Sequence, residues 1–139
     1  MHKILMLMRK SILSVIIIAA LASCHESIEE RALREAREYT ERFCPTPVVN
    51  YTRTDSVTFD MQSRTYTYYC SVTDVMDDKD IISHNHNNIK NGLLESIIGN
   101  TQIKIYKEAK FNFAYILYSA KQPGKVLFSV KYTPEDYER

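Results

Sequence analysis

Tryptophan is missing from this 139-residue chain, and glycine occurs only three times, at Gly92, Gly99 and Gly124. So few glycines supply neither the runs that cradle phosphates and dinucleotides nor a Gly-x-Ser-x-Gly elbow for a nucleophilic serine. A Ser-x-x-Lys pair is also lacking. Charge of one sign is not in excess either, with 18 Lys and Arg against 17 Asp and Glu, which leaves no basic footprint for nucleic acid. The longest apolar stretch, Ile12–Leu21, falls short of the roughly 20 residues that cross a bilayer as a helix.

That short stretch is nevertheless the most informative part of the chain. Lys3, Arg9 and Lys10 precede it, and Leu21-Ala22-Ser23-Cys24 ends it. A basic start, an apolar middle and small residues before a cleavage point make a secretory signal. With cysteine at that point, the segment resembles the lipobox of bacterial lipoproteins: an aliphatic residue, two small ones and Cys. A buried core helix would not need three cations ahead of it and none inside. Starting translation at Met6 or Met8 keeps Arg9 and Lys10, so the reading does not depend on the start site.

The resemblance implies removal of residues 1–23, lipidation of Cys24 with acyl chains such as palmitate, and a membrane-tethered protein outside the cytoplasm. The implied location is the cell envelope, most simply the outer membrane, facing the periplasm or the surface. Taking 23 from 139 leaves 116 residues from Cys24 to Arg139, enough for one small α+β domain. Removing the leader's three cations from 18 leaves 15 against 17 acids, a net of −2. Without a polybasic segment, attachment would rest on the acyl chains, at about 0.8 kcal/mol per buried methylene.

With Cys24 used for lipid, Cys44 and Cys70 remain. In an oxidising compartment a bridge between them would close a loop of roughly 25 residues, worth about 3 kcal/mol. That disulfide is the expectation, and two buried free thiols are the alternative.

Hydrophobic periodicity sets out the elements. From Glu26 to Phe43, Ile28, Ala32, Ala36, Tyr39 and Phe43 form one helical stripe, and Ser27 with Glu30 fits a capping box. Pro45 and Pro47 end that helix. Ser56–Met61 and Thr65–Val72 alternate and read as a hairpin, followed by an acidic loop from Asp74 to Asp80. Asn87–Ile98 reads as a second helix. Gln102–Lys107 and Lys110–Ala120 read as a second hairpin, Lys125–Tyr132 as a last strand, and Pro134–Arg139 as a polar end. The expected fold is α+β in the order αββαβββ, an antiparallel sheet of about five strands with two helices on one face. Tyr66, Tyr68 and Cys70 lie 47 residues before Phe113, Tyr115 and Leu117, and Val57 and Phe59 lie 46 before Ile103 and Ile105, which hints at an internal repeat. Cys44-Pro45, Asp55-Ser56-Val57 and Tyr66-Thr67-Tyr68 are similar to motifs in small exported lipoproteins of Bacteroides-like bacteria. That likeness implies a fold and brings no activity.

Catalytic and metal-binding constellations are not found. His84 and His86 lack the further ligands of a zinc site, and the Asp74–Asp80 carboxylates lack the glycine and closing glutamate of a calcium loop. No catalytic residue, metal or cofactor is therefore assigned. The ten tyrosines are the remaining peculiarity. With both helices on the Tyr68/Leu117 side, the outer sheet face would carry Thr67, Tyr69, Asn112 and Tyr118, an amphipathic surface suited to a partner. The leading expectation is a non-catalytic, lipid-anchored envelope protein that binds or assembles another envelope protein. The alternatives are a carrier of lipid, glycan or peptide and, third, a small enzyme. A cavity between helix and sheet would favour the carrier, and an aromatic surface patch the protein partner.

Overall fold

The computed structural model describes residues 25–139. Ser27 opens α1 (Ile28–Phe43) with a capping box: its hydroxyl accepts from the Glu30 N–H at 3.1 Å, and the Glu30 carboxylate accepts from the Ser27 N–H at 2.9 Å. Ala32 and Ala36, both fully buried, allow the helix backbone to lie close against β1 (Thr52–Asp60). The outward face carries Arg31 paired with Glu35, and Arg34 paired with Glu26 and Glu38. These exposed pairs solvate the face and add little to stability. The last turn departs from the expected stripe, since Tyr39 and Phe43 lie open to solvent.

β1 pairs antiparallel with β2 (Thr65–Val72), as the alternation predicts, with a bulge at Asp55. The free edge of β1 is closed by two threonines. The Thr40 hydroxyl accepts from the Val57 N–H at 2.8 Å and donates to its carbonyl at 2.9 Å. Further along, the Thr46 hydroxyl accepts from the Thr54 N–H, and the Thr46 N–H donates to the Thr54 carbonyl. An edge sealed in this way cannot template pairing with another chain.

The second half differs from expectation. A short 3-10 turn (Asp74–Met76) leads into α2 (Lys79–His84), then α3 (His86–Gly99) and α4 (Lys104–Glu108). β3 (Asn112–Ser119) then runs parallel to β2, and β4 (Val126–Tyr132) pairs antiparallel with β3. A last turn, α5 (Pro134–Tyr137), has its own capping box between Thr133 and Asp136. The sheet is therefore mixed, with four strands in the order β1-β2-β3-β4, and the described residues hold five α-helices. The expected five-strand antiparallel sheet with two helices is corrected on both counts. Gln102–Lys107 is not a strand: Ile103 and Tyr106, three apart, are the buried pair, and they define one face of a helical turn. Lys107 reaches back to cap the Ile97 and Ile98 carbonyls at the end of α3, at 2.8 and 2.9 Å.

The 47-residue offset has a structural counterpart. Tyr66, Tyr68 and Cys70 are the register partners of Phe113, Tyr115 and Leu117 across the parallel pair. The other half of the apparent repeat dissolves, because Val57 and Phe59 sit on a strand while Ile105 sits on α4. Inward side chains of all four strands form the core with the helices above them. Phe111, Phe113, Ile97, Val72 and Tyr132 are its largest fully buried members. Tyr132 donates its hydroxyl to the Lys90 carbonyl at 2.5 Å, tying β4 to α3.

The strand directions give the domain two distinct ends. The chain enters α1 at Ile28 near the Asp60–Thr65 turn, where the Arg64 guanidinium meets Glu29. At the other end lie Phe43, the 44–51 loop, the 73–81 segment and the β3–β4 connection. Sixteen residues of helix separate the two ends by roughly 24 Å.

Candidate functional sites on the two faces of the sheet

The outer face is built as the alternation requires. Thr65, Thr67, Tyr69 and Ser71 of β2 lie beside Asn112, Ala114, Ile116 and Tyr118 of β3 in parallel register. No described element packs over them; the helices lie on the opposite side. Thr67, Tyr69, Asn112 and Tyr118 are all half-buried. The sheet brings Tyr69, Ile116 and Tyr118 together as one amphipathic patch, with Thr67 on its margin. Asn112 falls at the far end, where its amide donates to the Ser63 carbonyl and secures the turn. Beside Tyr118, the Asp55 carboxylate accepts from the Ser71 hydroxyl and from Arg53 Nε, bordering a shallow cleft of about 420 Å3.

The inner side holds a second site, in the place where the carrier alternative expects a cavity, with lining residues that the sequence did not single out. A cleft of about 650 Å3 opens between the 46–54 segment and α3. Its floor is Cys70, Val72, Tyr115 and Leu117 of the two central strands, and Ile82, Ile89 and Leu93 form the helical wall. A smaller cleft of about 210 Å3 adjoins it at Tyr39 and is lined by Tyr66, Tyr68, Tyr106 and Glu35. The Tyr68 and Tyr115 rings stack at 4.8 Å on the floor. Burial pushes the Tyr68 phenol well above its usual range, and it raises Tyr66 to about 12. For Glu35, burial works to raise the carboxyl, but the Tyr106 hydroxyl and Arg31 outweigh it and hold it below the usual range. All of these groups hold their protons, or their charge, firmly at neutral pH. None is poised to exchange a proton there.

Cys44 and Cys70 are free thiols in the structure, where the sequence led us to expect a bridge. Cys44 caps the C-terminus of α1, and Cys70 is the partner of Thr54 on β1, whose hydroxyl lies 3.9 Å from the Cys70 sulfur. Burial raises both thiols, Cys70 to about 11, which keeps thiolate scarce and opposes a nucleophilic role. Unfolded, unreduced protein should therefore yield two alkylatable thiols from these positions by mass spectrometry. Recovery of a Cys44–Cys70 linked peptide would overturn the free-thiol assignment.

The histidines are engaged locally. The His84 ring bonds the Asp80 carbonyl at 2.7 Å, and His86 packs on Phe128 with ring centroids 5.0 Å apart. Among the described residues no group of three or more His, Cys, Asp or Glu could hold a metal ion. Cys24 lies outside the described residues.

A family profile described as a domain of unknown function, DUF8479, matches residues 27–128, from the α1 cap to Phe128 in β4. The chain belongs to the DUF8479 family. No curated protein matches this DUF8479 chain significantly. Its fold is found in solved structures of low sequence identity. A protein assigned as secreted, from Pseudomonas aeruginosa, is 12% identical with a TM-score of 0.66, covering 81% of this chain and 99% of that one. The type II secretion system pilotin AspS from Vibrio cholerae is 13% identical with a TM-score of 0.59, covering 84% and 98%. The type 2 secretion system pilotin EpsS from Vibrio vulnificus is 7% identical with a TM-score of 0.54, covering 80% and 92%. These likenesses establish the DUF8479 fold as one shared with proteins of Pseudomonas and Vibrio. They lend no support to the likeness with Bacteroides-like lipoproteins.

Proposed function

We propose that the protein is a non-catalytic lipoprotein of the cell envelope, anchored through Cys24, that binds and helps assemble another envelope protein. The observation that carries this reading is the uncovered outer sheet face, where Tyr69, Ile116 and Tyr118 form an amphipathic patch. Tyrosine suits such a surface because its ring supplies apolar area and its hydroxyl a directional bond. The lipobox supports the envelope address, on the outer membrane and facing the periplasm or the surface. The fold held in common with two secretion-system pilotins supports an assembly role over an enzymatic one. Thiols raised by burial and the lack of an activated nucleophile agree with it.

Crosslinking and pull-down from intact membranes test the reading. Wild-type protein should retain a discrete envelope protein, and Tyr69→Ala with Tyr118→Ala should each weaken capture by about tenfold, as for aromatic anchors at interfaces. Capture unchanged in the double variant would remove the outer face as the binding surface. Retention of no protein by the wild type would remove the partner-binding reading itself.

A further inference from the structure

The two edges of the sheet are finished differently. Thr40 and Thr46 close the edge of β1, whereas β4 carries no such seal. The backbone of β3 shows which groups of β4 are left over. Asn112 and Ala120 donate their N–H groups to the Arg64 and Val72 carbonyls on the β2 side, at 2.9 and 3.1 Å, while Ser119 donates to the Lys125 carbonyl on the β4 side at 2.9 Å. Odd-numbered positions of β3 therefore face β4, and their partners Phe128, Val130 and Tyr132 turn their backbone groups into the sheet. Ser129 and Lys131, which alternate with them, turn theirs outward. Neither has a backbone partner for those groups among the described residues, and both residues are exposed. An open edge of this kind is a template for one more strand.

Charge and position specify that strand. β4 reads VLFSVKY, with Lys131 near its end, no Asp or Glu along it, and Lys125 just ahead of it. Neither lysine forms an ion pair among the described residues. Pairing two copies edge to edge would bring lysines of both to one seam, with no carboxylate on either strand to meet them. Lysine on an edge deters like strands in this way, and the same charge favours an acidic one. The edge also continues the patch on the outer face. Tyr69, Ile116 and Ser129 are successive register partners in one row across the sheet, and Val126, 51% exposed, is the partner of Tyr118. We propose that the β4 edge takes up an extended acidic segment of the envelope partner as an added strand, its backbone paired with Ser129 and Lys131 and a carboxylate beside Lys131. The proposal rests on the reading that the protein captures an envelope protein, and it states the form in which that protein is held.

The test begins with the mature lipoprotein carrying Val126→benzoylphenylalanine, irradiated in native membranes, and with sequencing of the crosslinked peptide. That peptide should come from one envelope protein and be rich in Asp and Glu. A synthetic peptide of the same sequence, added to the purified protein, should slow amide exchange at Ser129 and Lys131 by about tenfold, while Phe128 and Val130 are protected already. Ser129→Pro removes an N–H that bonds nothing in the free protein, so its melting temperature should stay near that of the wild type while capture falls about tenfold. Lys131→Glu should weaken capture by a similar factor, and lysine in place of the facing carboxylate of the partner should restore it. If Ser129→Pro lowers the melting temperature, Lys131→Glu and the exchange rates decide alone. Crosslinks to a second copy of this chain, a basic or neutral peptide, or no slowing of exchange at Ser129 and Lys131 would each overturn the proposal. So would full capture by both variants. If Tyr69→Ala with Tyr118→Ala still loses capture in that case, the partner-binding reading stands without the added strand, whereas capture of nothing by the wild type removes both.

Discussion

Phe113→Ala should destabilise the domain by about 3–5 kcal/mol, the range for truncating a large aromatic in a close-packed core. Phe113 is fully buried on the inner face of β3. It packs against Tyr66 on β2, with centroids 6.4 Å apart, and meets Tyr137 of α5 edge-on at 5.6 Å. Its removal opens a void where sheet, C-terminal turn and Phe111 loop converge, and these backbone segments cannot all move in to fill it. Tyr69→Ala and Tyr118→Ala, on the uncovered face, should cost about 1 kcal/mol, near the average for point substitutions. Chemical denaturation of the three variants beside the wild type checks the contrast. Equal losses for Phe113 and Tyr69 would mean that the sheet is covered on both faces, and the proposed partner surface would vanish with it.

The second large effect is on attachment. Replacing Cys24 by Ala should abolish lipid transfer, because the sulfur that receives the diacylglycerol is gone. The chain should then accumulate as an unlipidated precursor, without the mature membrane anchor. Each acyl methylene buried in a bilayer contributes about 0.8 kcal/mol, so losing several chains removes nearly all the anchoring energy of a domain without a polybasic patch. Metabolic labelling with a fatty-acid analogue and fractionation of membranes read both consequences. A labelled Cys24→Ala protein, or an unlabelled wild type with a different mature N-terminus, would refute the lipoprotein assignment.

These two experiments probe different levels of what could be read from sequence. The Cys24 prediction needs no tertiary structure, since an export signal is recognised as linear chain. The Phe113 prediction depends on knowing which side of β3 faces the helices. Alternation alone assigned Phe113, Tyr115 and Leu117 to one face and Asn112, Ile116 and Tyr118 to the other, and the strand bears that out. Alternation could not reveal that β3 runs parallel to β2. The two-residue period is the same for parallel and antiparallel strands, and only the connection distinguishes them. Residues 73–111 hold three helices, enough to carry the chain back to the start of the sheet, but Ile103 and Ile105 imitated a strand there. In a segment of five or six residues, apolar positions two apart and three apart coexist, and tertiary packing chooses between them. Here Ile103 and Tyr106 were chosen, placing Tyr106 where its hydroxyl meets Glu35 of α1.

The cleft was illegible for a related reason. Its lining comes from the 46–54 loop, both central strands and α3, which are far apart in sequence and individually unremarkable. The parallel crossover brings α3 over the central strands, and its Ile89 and Leu93 join Cys70 and Leu117 in one lining.

By itself, then, the sequence determined much that is local in the chain: the Ser27–Glu30 cap and α1, the β1–β2 hairpin, and the inward and outward faces of the strands; the proposed export signal at Leu21–Cys24 is read in the same local way. Capping boxes act over three residues and strand alternation over two, so neighbours along the chain suffice to specify them. Tertiary structure alone decided strand direction, the helical state of Lys104–Glu108 and the existence of the cleft. Each of these depends on which distant segments come to share a core, and burial of apolar surface is a non-directional force whose outcome is set by the whole chain at once.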